Sequence, residues 1–260
     1  MAYREPFFVF EHYLRDAGNA NVTLETSGED AAFPKFRLLD NDPGPVFKWD
    51  AAATNNAVVV DRGAGVLFSV DYIIIPSGHN LTGNVVFSSK ATEGGSWVDV
   101  SNTTISAGQF EWATGGSPLR YIRFKVDSNI QGEIPELFMA RSRKPVTAGP
   151  DPSWNVVNEP NIQETVLRSG KIYRLETGNA RQQLTYTFRS VDATDIAVFD
   201  DLETQTRTGL YPFWFFPPDT GDAARYVSLG SAIQRSQSSE NPYGTGQKFD
   251  VTVSMVEMLP

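Results

Sequence analysis

The chain has 260 residues, a formal net charge of −9, 40% hydrophobic and 12% aromatic side chains, and no cysteine. That acidity leaves no basic stripe to neutralise phosphates, which excludes nonspecific nucleic-acid binding, and the missing cysteines exclude disulfides and thiolate-held metals. The start, Met1-Ala2-Tyr3-Arg4-Glu5-Pro6, has no basic stretch leading into an apolar one, and no later window reaches membrane-span length, so the expectation is a cytoplasmically made, soluble protein without membrane insertion.

From Phe7 to about Arg141 the residues fall into short runs rich in Val, Ile, Phe and Tyr, separated by Gly, Asn, Asp, Pro and Ser. Ala57-Val58-Val59-Val60-Asp61, Ser69 to Ile75, and Asn84-Val85-Val86-Phe87-Ser88 are too short for isolated helices and are β-branched, so they predict strands. Gly94-Gly95-Ser96 leads into Trp97-Val98-Asp99-Val100, and Gly115-Gly116-Ser117-Pro118 into Arg120-Tyr121-Ile122-Arg123-Phe124-Lys125-Val126; Ile134 to Met139 closes the set. Regular short strands with turn residues between them predict an antiparallel β-sandwich. Arg120, Arg123 and Lys125 read as a solvated face of one strand rather than a phosphate site.

The order Ala32-Phe33-Pro34, Leu39-Asp40-Asn41-Asp42 with Trp49, Val60-Asp61-Arg62-Gly63, Phe87-Ser88-Ser89 with Trp97, Arg120-Tyr121-Ile122-Arg123 and Glu136-Leu137 resembles the discoidin or galactose-binding-like jelly roll over residues 10 to 141. The resemblance implies that Trp49 and Trp97 fill the core between sheets. It places Asp61 at a strand end with Gly63 permitting the turn, and leaves Arg120 or Arg123 to pair with a buried carboxylate. Many members hold a structural calcium, and Asp40, Asp42 and Glu136 occupy matching positions. Calcium takes six to eight oxygens, so carbonyls and water would complete the set, and the alternative is that Asp40 and Asp42 only form Asx-type turns. For sugar binding, Trp112, His79 and Asn80 are candidates by residue type, with core burial of Trp112 and a plain turn at His79 as the simpler readings.

Prolines at 145, 150, 152 and 160 with few apolar neighbours predict a linker over residues 146–160, between a first domain at 1–145 and a second at 161–260. In the second domain Arg168 to Leu175 and Gln183 to Arg189 predict strands, and Asp192 predicts the N-cap of a helix carrying Ile196, Phe199 and Leu202 at helical spacing. Arg225 to Leu229 and Phe249 to Val256 predict further strands. Gly209-Leu210-Tyr211-Pro212-Phe213-Trp214-Phe215-Phe216-Pro217-Pro218 is the densest aromatic run of the chain; its prolines forbid a long helix, and its aromatic residues suit a strand. The fold class is therefore mainly β: a sandwich followed by an antiparallel barrel-like module with one helix.

Arg168-x-Gly170, Gly178-x-Ala180-Arg181, an acidic helix, Gly209-x-x-Pro212-Phe213-Trp214 and a closing strand ending Val256-Glu257 resemble the barrel modules of tailed-bacteriophage minor tail proteins of the distal-tail and tail-tip type. The resemblance implies a structural virion protein, made in the host cytoplasm and resident in the phage tail. It would assemble with other tail proteins as a homo-oligomeric ring, with the sandwich as decoration or as a contact to a host-surface glycan. In that family the ring module usually comes first, whereas the sandwich leads here. Tyr211, Pro212, Phe213 and Trp214 are the candidate interface residues, with about half of the run facing its own core by strand alternation. The reading requires no cofactor beyond the candidate calcium. No Gly-x-Ser-x-Gly, His-Glu-x-x-His or phosphate loop occurs, and the two histidines are His12 and His79, so no enzyme is expected. The alternatives are a non-catalytic carbohydrate-binding protein and a paired-carboxylate glycosidase.

Overall fold

The structure is a computed structural model, and it describes residues 4–10, 12, 21–40, 45–63, 70–114, 120–141, 143–151, 155–159, 162–166, 172–176, 181–219, 222–238 and 248–258. Every strand pairing in it is antiparallel. The chain packs as two units: Met1–Phe10 with Lys144–Leu259, and Glu11–Arg143. We call them the parent unit and the inserted unit. No helix of the described residues is long and apolar enough to cross a membrane.

This division departs from the expected one. Strand β1 (Phe7–Val9) belongs to the parent unit although it precedes the sandwich, and the expected linker at 146–160 carries one strand, Asn155–Glu159. The reason is burial: Phe7-Phe8-Val9 is an apolar triplet that needs two neighbours, and it finds them in positions distant along the chain. Pro145 does not interrupt the sheet because it sits on an edge strand, where a missing N–H breaks no ladder.

In the inserted unit, β2 (Val22–Glu25), β4 (Asn56–Asp61), β6 (Gly83–Lys90), β7 (Val98–Ile105) and β9 (Tyr121–Val126) form a sheet in the order β2-β4-β9-β6-β7. Strands β5 (Tyr72–Ile75), β8 (Phe110–Ala113) and β11 (Phe138–Ala140) form a second, in the order β11-β5-β8, while β3 (Phe47–Lys48) pairs with β10 (Glu133–Ile134). Alternation sends Val58, Val60, Val85, Phe87, Ile122 and Phe124 from the larger sheet into one core with Ile73, Ile75 and Met139 of the smaller, which makes the unit a β-sandwich. Trp49 is fully buried in that core, as expected. Its indole lies so close to Gly132 that a Cβ there would stand 2.5 Å from the ring, so this close approach requires glycine.

The parent unit holds β12 (Lys144–Pro145), β13 (Asn155–Glu159), β14 (Ile162–Val166), β15 (Ile172–Glu176), β16 (Arg181–Val191), β17 (Phe213–Phe216), β18 (Arg225–Leu229), β19 (Gln234–Gln237) and β20 (Phe249–Glu257). Its main sheet runs β12-β1-β17-β18-β20-β16-β13, with β19 also on β20; β14 and β15 pair with each other. No pairing joins β12 to β13 among the described residues. Helix α1 (Ala193–Thr206) starts where expected: the Asp192 carboxylate accepts from the N–H groups of Thr194 and Asp195 at 2.9 and 3.1 Å. Such a cap is worth about 1 kcal/mol. The helix buries Phe199 and Leu202 against Phe8, Phe188 and Val191 in the unit's core.

The aromatic run forms β17, and both of its faces are buried. Phe213 and Phe215 enter the core with Phe8, while Trp214 lies on Tyr226 at 5.0 Å and Phe216 stacks on Phe7 at 4.1 Å. Pro212 is buried too, and Tyr211, half-buried beneath Arg207, keeps some surface. Alternation alone would have left half the run outside. A strand in the middle of a sheet whose second face is also covered has no solvent side.

Candidate functional site

Among the described residues one large aromatic side chain, Phe36, stands well exposed, and it lies in the inserted unit. Four segments are knitted there by backbone hydrogen bonds. Lys48 donates to the Phe33 carbonyl at 3.1 Å, Asp30 to Lys48 at 3.0 Å, Trp49 to Gly132 at 3.2 Å and Asn80 to Glu133 at 3.3 Å. Across β3 and β10, Lys48 and Glu133 are register partners, and their side chains make an ion pair at 2.7 Å. The Asn80 side chain locks this frame, donating to the Gln131 carbonyl at 3.1 Å and accepting from the Glu133 N–H at 2.7 Å.

On the frame sits a short 3-10 helix, Lys35–Leu38. Buried Leu38 anchors it to the core, and Glu29 caps its first turn by accepting from the Lys35 N–H at 2.5 Å. With one end pinned inside, the helix presents Phe36 to solvent at 49% exposure. Beside it Phe33 is half-buried, with the Arg37 guanidinium 5.5 Å and the Lys48 ammonium 5.6 Å from its ring centre. Arg37 is held in place by donating to the Val46 carbonyl at 3.1 Å. An exposed ring at Phe36, with charged groups fixed over the half-buried ring three residues earlier, offers features that can stack an apolar ligand face and orient it with hydrogen bonds.

Of the residues expected from sequence to bind sugar, Asn80 lies in this frame, with its amide engaged in holding it. Trp112 is in the core against Phe87 and Phe110. His79 is buried, with Nδ1 accepting from the Leu81 N–H at 3.2 Å, and burial pushes its imidazole below the usual histidine range. Both take the structural role. Phe36 was missed because a lone Phe in Lys35-Phe36-Arg37-Leu38 breaks no pattern; the readable signal was an aromatic residue between two cations, two residues after Pro34.

Of the three candidate calcium residues, the structure describes Asp40 and Glu136. Asp40 is exposed on the turn after the 3-10 helix, and Asp42 lies outside the described residues. Glu136 is 1% exposed, with its Oε1 3.4 Å from Nε2 of the equally buried His12, which stacks on Phe138 at 4.2 Å. No three acid or histidine side chains of the described residues converge to hold a cation. A carboxylate buried beside an imidazole does not fit a hard cation that needs six to eight oxygens.

Trp97 also departs from expectation. It is not in the core; it lies half-buried outside the larger sheet, between the Lys90 ammonium and the Arg123 guanidinium, each 4.5 Å from its ring. The Gly94-Gly95-Ser96 turn delivers it to that face, one residue ahead of β7.

Arg120 does pair with a carboxylate at the strand end, that of Asp61, which is half-buried rather than buried. Its Nε and Nη2 donate to the two Asp61 carboxylate oxygens at 2.7 Å each, and the Gly63 N–H donates to Oδ1 at 2.8 Å across a turn with φ of 89°. The Arg120 hydrogen bonds hold the Asp61 carboxyl below its ordinary range, against a smaller opposing effect of burial, and Gly63 assists. The lowered carboxyl sets the sign of the pH dependence: this pair adds stability above the ordinary carboxylate pKa of about 4, and that contribution is lost as pH falls through the lowered value. Asp61→Asn should therefore lower the melting temperature at pH 7 and narrow the gap to wild type as the solution is acidified. Melting curves taken from neutral to strongly acidic pH measure this, and a gap that widened on acidification would refute the assignment.

No known family model matches the chain. No curated protein matches it either. Solved structures do. The chitosan-binding module 1 of a chitosanase/glucanase from Paenibacillus sp. IK-5 is 15% identical, with 50% of this chain and 98% of that one covered and a TM-score of 0.42. About half of the chain is similar to CBM32 modules. The module CpGH89CBM32-6 of Clostridium perfringens is 15% identical over 48% of this chain and 98% of its own, with a TM-score of 0.39. A GH29 fucosidase of Ruminococcus gnavus is 13% identical, with a TM-score of 0.40; the likeness takes in 48% of this chain and spans 26% of the fucosidase.

Proposed function

We propose that the inserted unit is a non-catalytic glycan-binding module. The observation that carries this reading is Phe36, held out at 49% exposure on a helix whose other end is buried. A pyranose has one face of C–H groups that stacks on such a ring, while its hydroxyls meet the Lys48–Glu133 pair and Arg37 at the rim. Rigid placement supports binding because little side-chain entropy remains to be lost. The test is a broad glycan array probed with the full chain. Phe36→Ala should weaken capture by about tenfold or more while changing stability by less than about 0.5 kcal/mol, as for an exposed side chain. Silence across neutral and acidic glycans alike would overturn the reading.

A second reading concerns the parent unit. It is a structural virion protein of a bacteriophage tail, forming a homo-oligomeric ring with other tail proteins and carrying the sandwich as its decoration. One observation favours it: β1 precedes the sandwich and pairs with β17 of the parent unit, so the sandwich is carried within the parent module as an insertion rather than ahead of it. Sedimentation of the purified protein, with a search for it in phage particles, tests this; a strict monomer absent from particles would sink it.

A further inference from the structure

We propose that the ligand at the Phe36 end is a sugar bearing a carboxylate, and that Arg37 is the group that binds it. The proposal rests on the glycan reading above and specifies its chemical class.

Around the inserted unit, cations meet carboxylates. Lys48 pairs with Glu133 at 2.7 Å, Arg120 with Asp61 at 2.7 Å, Arg123 with Glu25 at 3.3 Å and Lys125 with Asp127 at 3.9 Å. Arg37 is different. Among the described residues no carboxylate lies within ion-pair distance of it; its Nη1 donates to the Val46 carbonyl at 3.1 Å and its guanidinium rests 5.5 Å from the Phe33 ring centre. Scarcity of acids does not explain this, because the chain carries 31 acidic residues against 22 Lys and Arg.

A guanidinium has five N–H donors in a rigid planar fork, and the single bond to Val46 leaves most of them unused. The carbonyl on one side and the ring on the other fix the fork, so a ligand need not order it. A planar carboxylate matches that fork with two parallel hydrogen bonds, the strong charge-assisted kind. Neighbouring cations do not compete for it: Lys35 donates its Nζ to the Val22 carbonyl at 2.6 Å, and Lys48 is neutralised by Glu133. Phe36 and Arg37 are consecutive residues, with Cα atoms about 3.8 Å apart. Successive side chains of a 3-10 helix diverge, so the ligand must extend from Phe36 toward Phe33, over which the Arg37 guanidinium rests, for its carboxylate to meet the fork.

The experiment is calorimetric titration of the full chain with uronate oligosaccharides, with sialylated oligosaccharides, with the same sugars after their carboxyl groups are reduced to alcohols, and with sulfated sugars. One acidic class, uronate or sialate, should bind about tenfold or more tighter than its reduced counterpart, and added salt should shrink that difference. Arg37→Gln should erase the preference, and Arg37→Lys, which keeps the charge and loses the fork, should restore only part of it. If Arg37→Gln fails to fold, the native and reduced sugars compared on the unmodified protein, together with Arg37→Lys, still decide. Equal binding of native and reduced sugars, or a preference for sulfate, overturns the carboxylate inference and leaves glycan binding standing, provided Phe36→Ala still weakens capture by about tenfold or more. No binding to any of these sugars overturns both.

Discussion

Replacing Phe8 by alanine should destabilise the parent unit by about 3–5 kcal/mol, and removing residues 1–10 should abolish its cooperative unfolding altogether. Phe8 is fully buried, with ring centres at 5.2 Å from Phe215, 5.9 Å from Phe213, 6.0 Å from Phe199 and 6.5 Å from Phe188. It therefore joins β17, β16 and α1 at one point. Its strand, β1, lies between β12 and β17, paired as Phe8↔Lys144 on one side and Phe8↔Phe215 on the other. Deletion takes away both ladders and opens the edge of β17, an unpaired apolar strand of the sort that aggregates. Calorimetry of the full chain, of Phe8→Ala and of a chain beginning at Glu11 makes the comparison. A chain beginning at Glu11 whose parent unit melted cooperatively at the full-length temperature would show that β1 does not complete this sheet.

What could be read in the sequence followed how local each signal was. The Asp192 cap lies within three residues of the groups it serves, and the Asp61 turn to Gly63 within two, so residue type and spacing were enough. Alternation in β4, β6 and β9 likewise exposed the inward set Val58, Val60, Val85, Phe87, Ile122 and Phe124. The partner of β1 was not legible: Phe7 meets Phe216 across more than two hundred residues, and local composition carries no trace of that pairing. Trp97 shows a second limit, because a Trp beside a strand reads as core until the turn before it is known to swing it outward. Phe36 shows a third. Exposure is the absence of neighbours, and nothing in Lys35-Phe36-Arg37-Leu38 says that Leu38 rather than Phe36 turns inward.

The position that separates burial within the chain from burial between chains is Trp214. At 3% exposure it lies on the face of β17 opposite Phe213 and Phe215, against Tyr226 at 5.0 Å. The same face carries Phe216 stacked on Phe7, with the Arg4 guanidinium 5.4 Å from the Phe216 ring and its Nε donating to the Pro217 carbonyl at 2.6 Å. A side chain already enclosed in this way has little surface left for a neighbour, so Trp214→Ala should cost the monomer about 3–5 kcal/mol. Its indole N–H is buried and finds no acceptor among the described residues, so part of the ring's burial is offset by an unmet donor. Trp214→Phe removes that donor and keeps an aromatic face for Tyr226, and it should cost much less than alanine, about 1–2 kcal/mol. Chemical denaturation of both variants measures the order. If Trp214→Ala left the monomer's midpoint unchanged and only sedimentation as an oligomer were lost, the ring would belong to an interface, and the aromatic run would be an assembly surface after all.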